Sequence, residues 1–131
     1  MLTNYTRALP VPSHTFFLFG PRGTGKSTWL RQQLPAATWF DLLRLPTVLE
    51  LSRQPGLFRA QVEALPKASW VVVDEVQRLP ALLDEVHAII AEHGSSRYRF
   101  ALSGSSARKL RRLDVNLLAG RAITRQFFPL T

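Results

Sequence analysis

The sequence contains no cysteine, which excludes disulfides, thiolate zinc sites and a cysteine nucleophile. That suits a reducing compartment, and the cytoplasm is the expected one. No apolar run approaches the ~20 residues that a membrane span requires. Met1-Leu2-Thr3-Asn4-Tyr5-Thr6-Arg7 has no apolar core like that of a signal peptide, so no membrane partner is expected. Acids are scarce: 9 Asp and Glu against 17 Lys and Arg leave a formal charge of +8. Such a surplus can serve nucleic acid or a phosphate-rich ligand. The bases are nearly all Arg and are spread along the chain, with one short cluster at Arg108-Lys109 and Arg111-Arg112. No basic stripe is interleaved with aromatics, so nucleic acid stays open as a partner without being specifically indicated. His14, His87 and His93 show no metal-ligand spacing, and a structural role is expected for each. The three Trp residues read as core or pocket-edge packing.

The chain has no repeats and no low-complexity segment, and 131 residues make one domain. A domain of this size buries ~68% of its unfolded surface. What it does contain is Phe16-Phe17-Leu18-Phe19 followed by Gly20-Pro21-Arg22-Gly23-Thr24-Gly25-Lys26-Ser27-Thr28. This is an apolar run leading into G-x-x-x-x-G-K-[ST], the Walker A pattern in its proper setting of strand, loop and helix. Gly20, Gly23 and Gly25 allow the tight turn that brings backbone N–H groups close to a polyphosphate. The following helix adds unpaired N–H groups and a partial positive charge. In this pattern Lys26 reaches the β- and γ-phosphates and Ser27 holds Mg²⁺. ATP and Mg²⁺ are the expected cofactors.

A second motif supports the first. Trp70-Val71-Val72-Val73-Asp74-Glu75 is a Val-rich run of the kind buried on both faces of a parallel sheet. Its acids fall at the strand's carboxyl end, where open α/β sheets bind ligands. Asp74 is placed to support the metal, and Glu75 to orient and deprotonate a water. The adjacent second acid favours a hydrolysing P-loop protein over a small-molecule kinase. Phe100-Ala101-Leu102 leads into Ser103-Gly104-Ser105-Ser106, where either Ser103 or Ser105 could position the attacking water. Spacing does not choose between them, and a turn with Ser105 or Ser106 as helix cap fits equally well.

The rest of the chain alternates strand and helix signals. Residues 1–15 read as irregular. Strands are expected at Phe16–Phe19, Thr38–Asp41, Trp70–Asp74, Arg99–Ser103 and Ala122–Phe128. Helices are expected at Ser27–Gln33, Pro46–Ser52, Gly56–Ala64, Pro80–Glu92 and, as a short turn, Ser106–Leu110. Such alternation means a parallel sheet with helices on both faces. Arg121 lies just before the last strand, badly placed for its own nucleotide and well placed for a neighbour's. This suggests an arginine finger supplied in trans, in a homo-oligomer, with Arg108 a second candidate and a solvated Arg the plain alternative.

These residues resemble the AAA-type ATPases. They resemble in particular a prokaryotic branch carrying G-P-R-G-x-G-K-[ST], V-x-x-D-E-[IV]-Q-R-x-P, L-[ST]-G-S-S-x-x-x-L and L-x-G-R. Here the motifs fall at Gly20–Ser27, Val71–Pro80, Leu102–Leu110 and Leu118–Arg121, within a likeness spanning residues 7–131. The resemblance implies a three-layer α/β/α P-loop NTPase with the additional-strand order 5-1-4-3-2. It also implies binding of ATP and ADP and Mg²⁺-dependent hydrolysis coupled to an attached or partner domain. In that branch a winged-helix lid and a nuclease-like domain follow the core. Residues 1–131 are therefore expected to be the ATPase core without its lid, weakly active by itself. The rival readings are a nucleotide switch with little turnover and a small-molecule kinase.

Overall fold

A computed structural model describes residues 11–21, 25–105 and 123–126, the last by backbone alone. Its strands are β1 (Phe16–Phe19), β2 (Thr38–Asp41), β3 (Ser69–Asp74), β4 (Tyr98–Gly104) and β5 (Ile123–Gln126). Its helices are α1 (Lys26–Gln33), α2 (Leu45–Arg53), α3 (Leu57–Glu63) and α4 (Ala81–His93), with a 3₁₀ turn at Val76–Arg78. β3 pairs in parallel with β2 and β4, and β4 with β1, giving the order 2-3-4-1 that the family resemblance implied for these strands. β5 pairs in parallel with the outer side of β1, from Phe16↔Ile123 to Phe19↔Gln126.

The sheet divides two cores because alternate residues of a strand face opposite sides. Phe16, Leu18, Val72 and Ala101 pack on one face with Trp29, Leu30 and Leu34 of α1 and its end. Phe17, Phe19, Val71, Val73, Phe100 and Leu102 pack on the other. There they meet Leu51 of α2, Phe58 and Val62 of α3, and Leu82, Leu83, Val86, Ile89 and Ile90 of α4. Helices thus cover both faces of a parallel sheet, and continuous apolar strands are the consequence. Trp29 is buried and meets Phe16 edge-on, as does Trp70, in line with the packing role expected of the tryptophans. His93 Nε2 lies 2.7 Å from Glu63 Oε2, and the ring stands edge-on to Tyr98. Among the described residues no helix is long and apolar enough to cross a membrane.

Phe58 ties the three-helix face together. It is 1% exposed and its ring lies 4.8 Å from that of Phe40 and 6.5 Å from that of Phe100. Phe58→Ala should cost about 3–5 kcal/mol through lost transfer energy and a residual cavity. Urea unfolding with an unchanged m-value checks this. A loss below about 1 kcal/mol would mean that the helices do not pack on β2 and β4 as described.

Candidate active site

The carboxyl ends of β1, β3 and β4 lie side by side, and the candidate residues converge there. α1 begins beside this edge, with Gly25 at its N-cap. Gly25 has φ 93° and ψ 14°, a left-handed conformation open to glycine and strained for other residues. Among the described residues no side chain caps α1, and no acid occupies its first turn, so its N-terminal N–H groups and positive end keep their capacity for an anion.

Lys26, in the first turn of α1, is 4% exposed. Its Nζ donates to Gly20 O at 2.6 Å and lies 3.5 Å from Glu75 Oε2. Ser27 Oγ donates to Asp74 Oδ2 at 2.8 Å, and Ser103 Oγ donates to Asp74 Oδ1 at 2.5 Å. Asp74, 3% exposed, therefore has a hydroxyl on each oxygen. The loop strand is tied to β4 by Gly20 N–H donating to Gly104 O at 3.2 Å.

Glu75 follows the last residue of β3. A strand would turn it to the face opposite Asp74. Instead it adopts φ 60° and ψ 56°, the left-handed region. A non-glycine residue there costs of order 1–3 kcal/mol and persists only where its surroundings over-determine it. Two contacts do so. Its N–H donates to Ser103 Oγ at 3.0 Å, and its C=O accepts from Arg78 N–H at 3.0 Å. The kink brings both carboxylates to one edge. Glu75 Oε1 accepts from Gln77 Nε2 at 2.6 Å and from Ser105 Oγ at 3.0 Å. Burial pushes the Glu75 carboxyl up, but the Gln77 bond, the Lys26 ammonium and the Ser105 hydroxyl outweigh it. The net effect holds the carboxyl below the usual glutamate range.

A family model described as an AAA domain matches residues 12–131. The chain belongs to the AAA domain family. Three solved structures share its fold. The Aeropyrum pernix ORC2 protein, solved as ADPNP-ADP complexes, gives a TM-score of 0.61 at 16% identity, covering 96% of this chain and 44% of that one. Cdc6p from Pyrobaculum aerophilum gives 0.57 at 16% identity, covering 86% and 38%. PCH-2 of C. elegans gives 0.55 at 14% identity, covering 96% and 38%. This AAA domain thus spans less than half the length of these chains. No curated protein matches it.

Within the AAA domain, the structure brings together Gly20, Lys26, Ser27, Asp74, Glu75, Ser103 and Ser105 from three strands and one helix. Pro21 is exposed at the start of the loop, and Thr28 is exposed on α1. Arg22, Gly23, Thr24, Arg108 and Arg121 lie outside the described residues, as does the helix expected at Ser106–Leu110. The two serines do different things. Ser103 is wholly buried and engaged by Asp74 and the Glu75 N–H, whereas half-buried Ser105 touches the Glu75 carboxylate itself. Gln77 was not singled out from sequence. Its signal was its fixed place two residues after Glu75 in D-E-[IV]-Q-R.

Proposed function

We propose that this AAA domain binds ATP with Mg²⁺ at the edge formed by Gly20, Lys26, Ser27 and Asp74 and hydrolyses it. The observation that carries the reading is one convergence. A buried ammonium, a carboxylate bound by two hydroxyls and a second carboxylate meet beside a helix N-terminus that has no acid in its first turn. Asp74 and Ser27 offer an all-oxygen set of the kind Mg²⁺ prefers, so they are the residues that would hold it. Bound there, it would offset the negative charge of the β- and γ-phosphates. Lys26 exchanges Gly20 O and Glu75 for phosphate oxygens. Glu75 then accepts a proton from water as the water oxygen bonds to the γ-phosphorus and the bond to the bridging oxygen breaks, giving ADP and phosphate. The departure of Lys26 removes one cause of the lowered Glu75 carboxyl and makes it a better base.

The sheet fits the additional-strand P-loop arrangement 5-1-4-3-2, since β4 lies between β1 and β3 and β5 extends the sheet beyond β1. Coupling of hydrolysis to an attached or partner domain rests on family membership. A switch that holds ATP with little turnover draws on a different observation: Glu75 is already engaged by Lys26, Gln77 and Ser105. Phosphate release with no acceptor added separates hydrolysis from the switch and from a kinase.

Thermal melts with ATP, ADP or GTP and Mg²⁺ test the site. Ligand at 100 times its Kd should stabilise the parent by about 2.7 kcal/mol. Lys26→Ala should lose most of that increment. Its unliganded melting point should also fall, because Glu75 is left buried without its cation. The increment is therefore read within each protein. Equal ATP increments in the two would place the nucleotide elsewhere.

A further inference from the structure

Gln77 has no part in the chemistry above, yet its amide is tightly placed. It sits on the turn Val76–Arg78, and its Nε2 donates to Glu75 Oε1 at 2.6 Å and to Ser105 Oγ at 3.3 Å. Ser105 Oγ donates to the same Oε1 at 3.0 Å, closing a triangle of three polar groups. The amide cannot be turned over, because its carbonyl would then face a carboxylate. The opposite atom shows the consequence: Gln77 Oε1 is buried with no hydrogen-bond partner among the described residues. Folds tolerate such an atom where something else dictates the geometry. The amide also needs Gly104 beneath it. A Cβ at Gly104 would lie 3.0 Å from Gln77 Oε1 and 3.3 Å from two atoms of the Phe19 ring.

We propose that Gln77 is a positioning residue which, together with Ser105, holds Glu75 Oε1 so that Oε2 stays turned toward the phosphate site. The proposal rests on the hydrolytic reading of Glu75. Oε1 is committed to two donors, while Oε2 lies 3.5 Å from Lys26 Nζ. Once Lys26 moves to the phosphates, Oε2 becomes available to a water, and Oε1 remains held. The left-handed backbone fixes where the Glu75 side chain starts, and the two donors fix where it ends. A flexible side chain is thereby ordered before the reaction begins.

Gln77→Met keeps most of the side-chain volume over Gly104 and removes both donors. In the full chain, kcat should fall roughly 10- to 100-fold, the worth of a hydrogen bond to a charged group, with ATP Kd unchanged. The same substitution in a Glu75→Gln background should produce no further fall, because Gln77 acts through Glu75. Parental kcat in Gln77→Met, or an equal fall in both backgrounds, overturns the proposal. If Glu75→Gln itself hydrolyses ATP like the parent, the base assignment falls and this proposal with it. If Glu75→Gln is slow and Gln77→Met is not, only this proposal falls. A second measurement needs neither turnover nor a folded Gln77 variant. The ¹⁵N–¹H side-chain amide signal of Gln77 should shift in Glu75→Gln and in Ser105→Ala, and an unmoved signal in both overturns the clamp.

Discussion

Glu75→Gln should bind ATP as tightly as the parent while hydrolysing it about 10²–10⁴-fold more slowly, the usual worth of a positioned general base. The amide keeps the size of the carboxylate and can still accept from Ser105 and Gln77, but it cannot take a proton. Binding persists because the Glu75 carboxylate contacts Lys26, and that contact is given up when nucleotide arrives, while the Glu75 backbone N–H keeps its bond to Ser103. Losing the carboxylate even frees Lys26 from a buried partner. Single-turnover phosphate release with enzyme in excess reads the slow rates, and a melting increment with ATP reads the binding. Comparable hydrolysis in Glu75→Gln and parent would remove Glu75 from the chemistry. The pH dependence carries a matching sign. The Glu75 carboxyl is held below the ordinary glutamate range, so it remains ionised as pH falls through that range. The acidic limb of kcat/KM, which reports the free protein with Lys26 still beside Glu75, should therefore lie below the ordinary glutamate value. Ser105→Ala, which removes one of the bonds that lowers it, should move that limb upward.

Much of the fold was legible because buried parallel strands write themselves as unbroken apolar runs. Phe16–Phe19 and Thr38–Asp41 have the bounds that residue type implied; β3 and α1 differ from expectation by one residue at one end, and β4, α2, α3 and α4 by one residue at each end. The Walker residues were legible for the same reason: Lys26, Ser27 and Asp74 sit at fixed offsets from strand ends. What spacing could not show is the left-handed turn at Glu75. Alternation along a strand places Asp74 and Glu75 on opposite faces, and only the kink, held by Ser103 Oγ on the Glu75 N–H, unites them. The choice between Ser103 and Ser105 was closed to sequence on similar grounds. It depends on where β4 ends relative to β3, a register between chain segments some 30 residues apart. Gln77 was hidden because a glutamine in a turn after a strand is ordinary on its own. Its meaning comes from two acceptors and from the missing Cβ of Gly104.

Arg121→Ala should leave ATP affinity intact and abolish any rise of specific activity with protein concentration, if Arg121 acts across a subunit interface. An arginine finger contributes about 10³–10⁵-fold to turnover, so a lone subunit would be a weak ATPase. Arg121 itself lies outside the described residues, and the argument rests on the strand that it precedes. β5 is parallel to β1, and its first residue, Ile123, pairs with Phe16 at the end of β1 remote from the loop. At ~3.3 Å per residue, the four residues of β1 set that end roughly 10–13 Å from Gly20. The described start of β5 thus lies at the end of the sheet remote from the phosphate site of the same chain. Among the described strands β5 lies at the border of the sheet, where a neighbouring subunit can dock. The decisive measurement mixes Arg121→Ala with Lys26→Ala subunits, each weakly active alone. Mixed oligomers would set an intact Arg121 beside an intact Lys26 and recover part of the activity. A mixture that stays inactive although mixed oligomers form, or an Arg121→Ala protein as active as the parent, would assign Arg121 to the solvated surface instead.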